Sequence, residues 1–365
     1  MSMAIGISSL PIELRTLILQ HLWDIGDLDS AIKSHRSLAE AFTGSPGTTV
    51  ANVLQNEIDS RLWPLAIFIW QIRTSKRKCF ILDGLDMWTV LQDCHTTYNT
   101  ISAWEDLCHV GLSEAQEYFH SLHKAVQHFT TDFLSQAGGS YGQLLIPTTS
   151  EIYRVQRSFY YLELFCLLWG NGQKVRTDWD LQISQGLAIE LHPWINEQIA
   201  LFGDMAVDEV DNDEETGSLS SPREKSKDFW VSWGLRYLSK LTQCSNKTDL
   251  HHTMQEKQSN DGWFILRSAL EELNWGYYCE KPLEDPSYMD KQQTINEDDS
   301  GPDPAQTWCS FHSTGNGGQF VLGENYSALR QAGYVMWDAD RRAHIDMFCQ
   351  RHNLPNGASL SVSLP

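Results

Sequence analysis

The stretch SSLPIELRTLILQHLWDIGDLDSAIKSHRSLAEAFTGSP, residues 8–46, decides the fold of the N-terminal part of the chain, because its pattern predicts three short helices. Pro11 lies near the start of the first helix, where a missing N–H has no intrahelical acceptor to lose. Asp27 and Ser34 are predicted to cap the second and third helices, and the segment 44–47, rich in Gly and Pro, is predicted to end the third. The apolar residues at helical spacing are Leu14, Leu17, Ile18 and Leu22 in the first helix, Leu28, Ala31 and Ile32 in the second, and Leu38, Ala41 and Phe42 in the third.

The apolar surface of this segment is larger than about forty residues in three short helices can bury by themselves. Leu10, Pro11, Ile18 and Leu19 do not all fit on one narrow inward stripe. Two interpretations follow from the pattern alone. Either the rest of the chain covers the surplus, as it does for any N-terminal helical hairpin, or a partner protein binds there.

The ordered motif in this segment resembles the F-box. The family pattern is Leu-Pro-x-Glu-Leu, then Ile-Leu-x-x-Leu, then Asp-Leu and a later Arg. The corresponding stretches here are 10–14, 18–22 and 27–28, followed by Arg36. Many members carry a Trp after that Arg, where this chain has Ser37-Leu38.

The resemblance implies an adaptor without chemistry of its own. F-box proteins dock on the Skp adaptor of a Skp–cullin–F-box ubiquitin ligase, and the remainder of the chain recruits a protein substrate. An apolar helical face laid against a groove is the physical mode of such binding. The residues that the resemblance assigns to the Skp contact are Leu10, Pro11, Leu14, Ile18, Leu19 and Leu22. The alternative is a helical interaction scaffold whose F-box-like segment is only an internal packing element and joins no ligase.

Later blocks of the chain are similar to those of many F-box-like proteins of filamentous fungi. The blocks are Ile152–Leu164, His192-Pro193-Trp194, and an Arg-x-x-Gly-Tyr-x-x-Trp-Asp element at Arg330–Asp338 followed by Arg341. They point to a family without naming a function.

The composition excludes several classes of function. The 365 residues include 47 acidic and 27 basic ones, a formal net charge of −20 at pH 7. A general nucleic-acid-binding protein needs clustered Lys and Arg to neutralise phosphates, and adhesion to an anionic membrane needs the same charge. We therefore expect neither nucleic acid nor a membrane as partner. Much of the acidity lies in segments 204–215 and 284–303, which hold seven acidic residues each and have the composition of solvated loops.

The sequence predicts an intracellular protein, cytoplasmic or nuclear. Residues 1–7 carry no basic residue and too short an apolar stretch for a signal peptide. The longest apolar run, residues 62–69, is far shorter than the ~20 residues of a membrane span. The eight cysteines are scattered without a Cys-x-x-Cys pair, which indicates free thiols. A basic run at 73–78 is interpreted as a solvated loop, with a nuclear import patch as the alternative.

Beyond the motif, the chain is predicted to be mostly α-helical and irregular, with minor β-structure. The clearest helix begins at Thr148 and Glu151, which are spaced as a capping box. Arg154 and Arg157 lie opposite its apolar stripe and are expected to pair with acidic residues of the chain or, alternatively, to grip an external carboxylate. Other helices are predicted over 113–136 and 228–241. The predicted domains are the F-box at 8–46, a helical region at 50–203, an acidic linker at 204–228, and a C-terminal helical lobe at 229–350 with an acidic loop at 284–303.

The sequence predicts no enzyme, no cofactor and no catalytic residue. It has no Gly-x-Ser-x-Gly elbow, no phosphate-binding loop and no His-Glu-x-x-His. The closest approach to a metal site is a set of four residues on one presumed helix: Glu117, His120, His123 and His128. Apolar residues between them are predicted to form the buried face of that helix, so the histidines lie partly on its solvent-facing side. We therefore predict solvated or interface histidines and no metal, with a metal site as the alternative.

Overall fold

The computed structural model describes residues 6–74, 100–140, 146–167, 234–244, 248–249, 252–253, 333 and 336–338. Every regular element in these residues is helical, which confirms the mostly α-helical prediction, whereas the predicted minor β-structure has no strand among them. The chain divides into two compact units, Met1–Val126 and Gln127–Pro365. The acidic segments at 204–228 and 284–303 lie outside the described residues.

The first unit is a series of short helices. A 3-10 turn at Ile7–Ser9 precedes α1 (Ile12–Gln20), and a second 3-10 turn at Ser60–Leu62 precedes the helix that begins at Trp63. A helical turn at Leu112–Glu114 and a π-helix at Ala115–His120 lead into α7 (Ser121–Ser140), which contributes residues to both units. The other helices are α2 (Ile25–Ser34), α3 (Arg36–Gly44), α4 (Pro46–Glu57), α5 (Trp63–Thr74) and α6 (Thr100–Cys108).

The helix caps differ from those that the sequence predicts. The N-cap of α2 is Asp24 instead of Asp27, because the carboxylate of Asp24 accepts the Asp27 N–H at 2.8 Å and starts the helix earlier. The N-cap of α3 is His35 instead of Ser34, and its ring accepts from the backbone N–H of Ser37. The helix does end at Gly44, but Pro46 opens α4 at its first turn, where the missing N–H has no cost.

The core of the first unit forms where α1 and α2 pack on both α3 and α4. α4 also packs on α6, and the two helices approach so closely that a Cβ added to Gly47 would lie 2.1 Å from the Cys108 carbonyl oxygen. The first ten residues of α5 are mostly apolar and buried, whereas its last two, Arg73 and Thr74, are polar and at least partly exposed. No helix in the part of the chain that the structure describes is both long and apolar enough to cross a bilayer. The fully buried side chains of this core include Leu19, Ile25, Leu28, Val50, Val53, Leu62 and Ile67.

The described part of the second unit is built around α8 (Thr149–Phe165), with α9 (Leu235–Thr242) packed on it. The predicted capping box is confirmed, since Thr148 Oγ1 accepts the Glu151 N–H and the Glu151 carboxylate accepts the Thr148 N–H. The sequence predicts one apolar stripe on this helix, but burial extends to its other sides as well. Buried side chains surround α8, and they include Arg154, Tyr160 and Glu163 as well as the apolar Val155, Phe159 and Leu162.

Candidate functional site

The candidate site is an exposed apolar face on α1, formed by Leu14, Leu17 and Ile18. These residues stand at positions i, i+3 and i+4, which places them side by side on one side of the helix. Their side chains remain 46%, 47% and 40% exposed, respectively. Large apolar side chains grouped in this way are typical of a surface that binds another protein.

The opposite side of α1 holds the helix against the body of the first unit. Leu19 is fully buried, and the guanidinium of Arg15 donates to the Ser37 carbonyl of α3 at 2.9 Å. Both contacts fix the rotation of α1 about its axis. The helix therefore cannot turn its exposed apolar face inward without breaking them.

The six residues that the F-box resemblance assigns to the Skp contact fall into three groups. Pro11, Leu14 and Ile18 are exposed, and Leu10 and Leu22 are half-buried. Leu19 is a core residue, because α1 presents it toward the side on which α3 and α4 pack. Leu19 is thus not available to a partner, and it does not belong to the exposed apolar face.

Three exposed large apolar residues on α1 and in the loop after it were not among the six. Leu17 adjoins Leu14 and Ile18 on the same face, and Ile12 is also exposed at the start of α1. Trp23, in the loop between α1 and α2, is 78% exposed, the largest exposed fraction of any large apolar side chain in the first unit's described residues. Helical periodicity alone could have found Leu17. Nothing in the sequence marks Trp23 as exposed, because an isolated Trp in a short loop packs inward or outward according to its tertiary neighbours.

The loop between α1 and α2 is fixed by two consecutive residues at the end of α4. The side-chain amide of Asn56 donates to the carbonyl oxygens of Gln20 and Leu22, at 3.0 and 2.9 Å. The Glu57 carboxylate accepts the Ile25 N–H at 3.1 Å. We call Asn56 and Glu57 the loop clamp, since together they hold the last carbonyl of α1, a carbonyl of the loop and the first amide of α2.

A polar cluster, buried at Glu57 and partly exposed at Lys124, adjoins the loop clamp. His120 Nδ1 lies 2.7 Å from the second carboxylate oxygen of Glu57, and the Lys124 ammonium lies 3.0 Å from the Asp24 carboxylate. Burial by itself would raise the pKa of Asp24, but hydrogen bonds from the Asp27 N–H and from Lys124 outweigh it, so the pKa lies below its usual value. The cluster therefore favours an ionised Asp24 at the start of α2.

The histidines considered as metal ligands are not solvated where the sequence allowed them to be, since His123 is buried and His120 is partly buried. His120 and His123 are turned inward, because the end of α4 supplies them with hydrogen-bond partners. Burial lowers the pKa of His123 to about 4, so this ring is neutral near pH 7. His128 instead lies within reach of Asp132 and the Thr242 hydroxyl. Among the residues that the structure describes, no three His, Cys, Asp or Glu side chains come together as metal ligands.

A second polar assembly, in the second unit, joins the start of α8 to Asp338. The Arg154 guanidinium, 2% exposed, pairs with the Asp338 carboxylate and donates to the Met336 carbonyl at 2.9 Å. The Glu151 carboxylate accepts the Asp338 N–H at 3.0 Å. Arg154 therefore pairs with an acid of its own chain, one of the two predicted outcomes. Two of the sequence blocks named above, 152–164 and 330–338, are thus in contact through Arg154 and the described residues Met336 and Asp338.

Glycine is required beside this assembly. Gly333 adopts φ +69°, and a Cβ at this position would stand 2.6 Å from the ring of Phe133. The Phe133 ring in turn stacks on Trp337, with 5.7 Å between centroids. These contacts explain the Gly and Trp of the C-terminal block as packing residues. Because the second-unit residues are explained by packing, we keep the exposed apolar face of α1 as the candidate site.

Comparison with known proteins identifies no relative, since no family model, no curated protein and no solved structure matches the chain.

Proposed function

We propose that the chain is an F-box adaptor, which docks on the Skp subunit of a Skp–cullin–F-box ubiquitin ligase and recruits a protein substrate through the rest of its length. It acts as a non-catalytic component, in the cytoplasm or the nucleus. The observation that carries the proposal is the exposed apolar face of α1, because it lies within the segment that resembles the F-box. An i, i+3, i+4 set of exposed Leu and Ile residues is the arrangement by which a helix enters an apolar groove.

The proposal is tested by binding of the purified full-length chain to the cognate Skp adaptor. The triple variant Leu10→Ala, Pro11→Ala and Ile18→Ala removes three residues that are exposed or half-buried, so we expect the fold to persist. Anchor residues of such interfaces each contribute about 1–2 kcal/mol or more. We therefore expect the triple variant to bind at least about a hundredfold more weakly than the wild type.

A matched control is available in the second unit. Ile146 is 90% exposed and lies far from the motif in sequence, so Ile146→Ala removes the same side chain as Ile18→Ala without touching α1. We expect wild-type affinity from this control. An absence of binding by the wild type, or equal affinity of wild type and triple variant, would exclude the adaptor function.

The second candidate function is a helical interaction scaffold that joins no ligase. It is favoured by the burial of Leu19 and the half-burial of Leu10 and Leu22, since these residues of the motif contribute to packing within the chain. The exposure of Pro11 and Ile18 speaks against it. Binding of the Skp adaptor, with the cullin recruited through it, would decide between the two candidates.

A further inference from the structure

The loop between α1 and α2 is short, and its two ends are held by residues outside the F-box-like segment. Asn56 holds the carbonyls of Gln20 and Leu22, and Glu57 holds the amide of Ile25. Only Trp23 and Asp24 lie between these anchor points. The position of the Trp23 backbone is thus determined by the end of α4.

Glu57 is itself held in place. Its side chain is 2% exposed, and its second carboxylate oxygen bonds to His120 of the π-helix. The Asp24 carboxylate adds a further link, through Lys124 of α7. Two segments therefore fix the loop: the end of α4, and the continuous helical stretch that carries His120 and Lys124.

The side chain held by this loop, Trp23, is unusually exposed for a large aromatic residue. Trp23 carries a large apolar ring that is 78% exposed, directly after the helix that bears the exposed apolar face. A Trp contributes most to binding when its backbone is already ordered, because association then loses little conformational entropy. Rigid backbone and exposed ring together are the properties of a binding anchor.

We propose that Trp23 extends the adaptor-binding face beyond α1, and that Asn56, Glu57 and His120 are positioning residues that hold it there. The occupant is the Skp adaptor of the proposed function, on which this inference rests. Trp23 and the exposed apolar face are adjacent along the chain, which makes one continuous partner the simplest occupant. In this proposal, Asn56, Glu57 and His120 do not contact the Skp adaptor and affect its binding only through the position of the loop.

The experiment compares Asn56→Ala with Asn52→Ala in the full-length chain. Asn52 lies one turn earlier in α4, and its amide donates only to the Thr48 carbonyl of the same helix. The readouts are the affinity for the purified Skp adaptor and the amide hydrogen exchange of residues 20–28 in the free chain. We expect Asn56→Ala to exchange faster at these residues and to bind about tenfold more weakly, whereas Asn52→Ala matches the wild type in both.

A double-mutant cycle separates positioning from a general loss of stability. Trp23→Ala removes an exposed side chain and should weaken binding at least about tenfold with an unchanged fold. If Asn56 acts through Trp23, the double variant binds no more weakly than Trp23→Ala alone, so the two effects are not additive. Glu57→Ala should also weaken binding, because it removes the acceptor of the Ile25 N–H.

The outcomes distinguish this inference from the proposed function. A wild-type chain that does not bind the Skp adaptor removes the proposed function and this inference with it. A wild-type chain that binds, together with wild-type affinity of Trp23→Ala or additive effects of Trp23→Ala and Asn56→Ala, removes the inference alone.

Discussion

Leu14 and Leu19 are the same residue type in one nine-residue helix, and replacing each with Ala tests the orientation of α1. Leu19 is fully buried, and a buried Leu→Ala substitution costs about 2–5 kcal/mol, since the lost transfer free energy adds to the cost of a cavity. Leu14 is 46% exposed. Half of the ~1.5–3 kcal/mol available from burying a Leu side chain is about 1 kcal/mol, and water fills the space that the side chain leaves. The higher helix propensity of Ala offsets a few tenths of a kcal/mol of this cost.

The expected difference between Leu19→Ala and Leu14→Ala is therefore about 2 kcal/mol, or roughly thirtyfold in the opening equilibrium of the first unit. Native-state hydrogen exchange of residues 12–57 at increasing urea measures this quantity for the first unit alone. A single unfolding free energy is not appropriate for a chain with two compact units. Equal costs of the two substitutions, or a larger cost for Leu14→Ala, would refute the orientation of α1 and the exposed apolar face with it.

Three further predictions concern stability. Asp338→Ala removes the carboxylate partner of the buried Arg154 guanidinium and should destabilise the second unit by about 3 kcal/mol in thermal unfolding; a loss below about 1 kcal/mol would contradict the pairing. Gly333→Ala should lower the unfolding free energy by at least about 2 kcal/mol, because Gly333 has a positive φ and the Phe133 ring lies close to it. Gly6→Ala is the control, since a Cβ added there meets nothing within 4 Å, and it should change the unfolding free energy by less than about 0.5 kcal/mol. Unfolding free energy of the first unit should fall by about 3 kcal/mol as the pH decreases from 6.5 to about 4, because in this range the unfolded chain protonates His123 and the folded chain does not; His123→Gln should flatten this slope.

Local features were predictable from the sequence because their partners lie within one helical turn. The capping box of Thr148 and Glu151 needs only residues three apart, and both of its hydrogen bonds are present. The helical character of the first unit also follows from local periodicity. The start of α2 was displaced by three residues because two acids, Asp24 and Asp27, were both good caps, and the choice between them depends on Lys124 and the end of α4.

The inward or outward orientation of a side chain was not predictable where distant residues decide it. Ile18 and Leu19 are neighbours with the same hydrophobic character, yet only Leu19 is buried, because α3 and α4 pack on that side of α1. His120 was predicted to be a solvated or interface histidine, and its partner is Glu57, 63 residues earlier in the chain. A sequence pattern cannot supply such a partner, since it records spacing along the chain and not proximity in space.

The junction between Glu151 and Asp338 has a consequence for the order in which the chain folds. One carboxylate both caps α8 and holds an amide that lies 187 residues further along. Closing a loop of that length costs about 2–3 kcal/mol more chain entropy than closing one of ten residues. On the ribosome, α8 can form its cap early, but its buried Arg154 has to wait for Asp338. The first unit, complete by Val126, has no such delay. We therefore expect the second unit to expose unfolded chain for longer during synthesis than the first unit does.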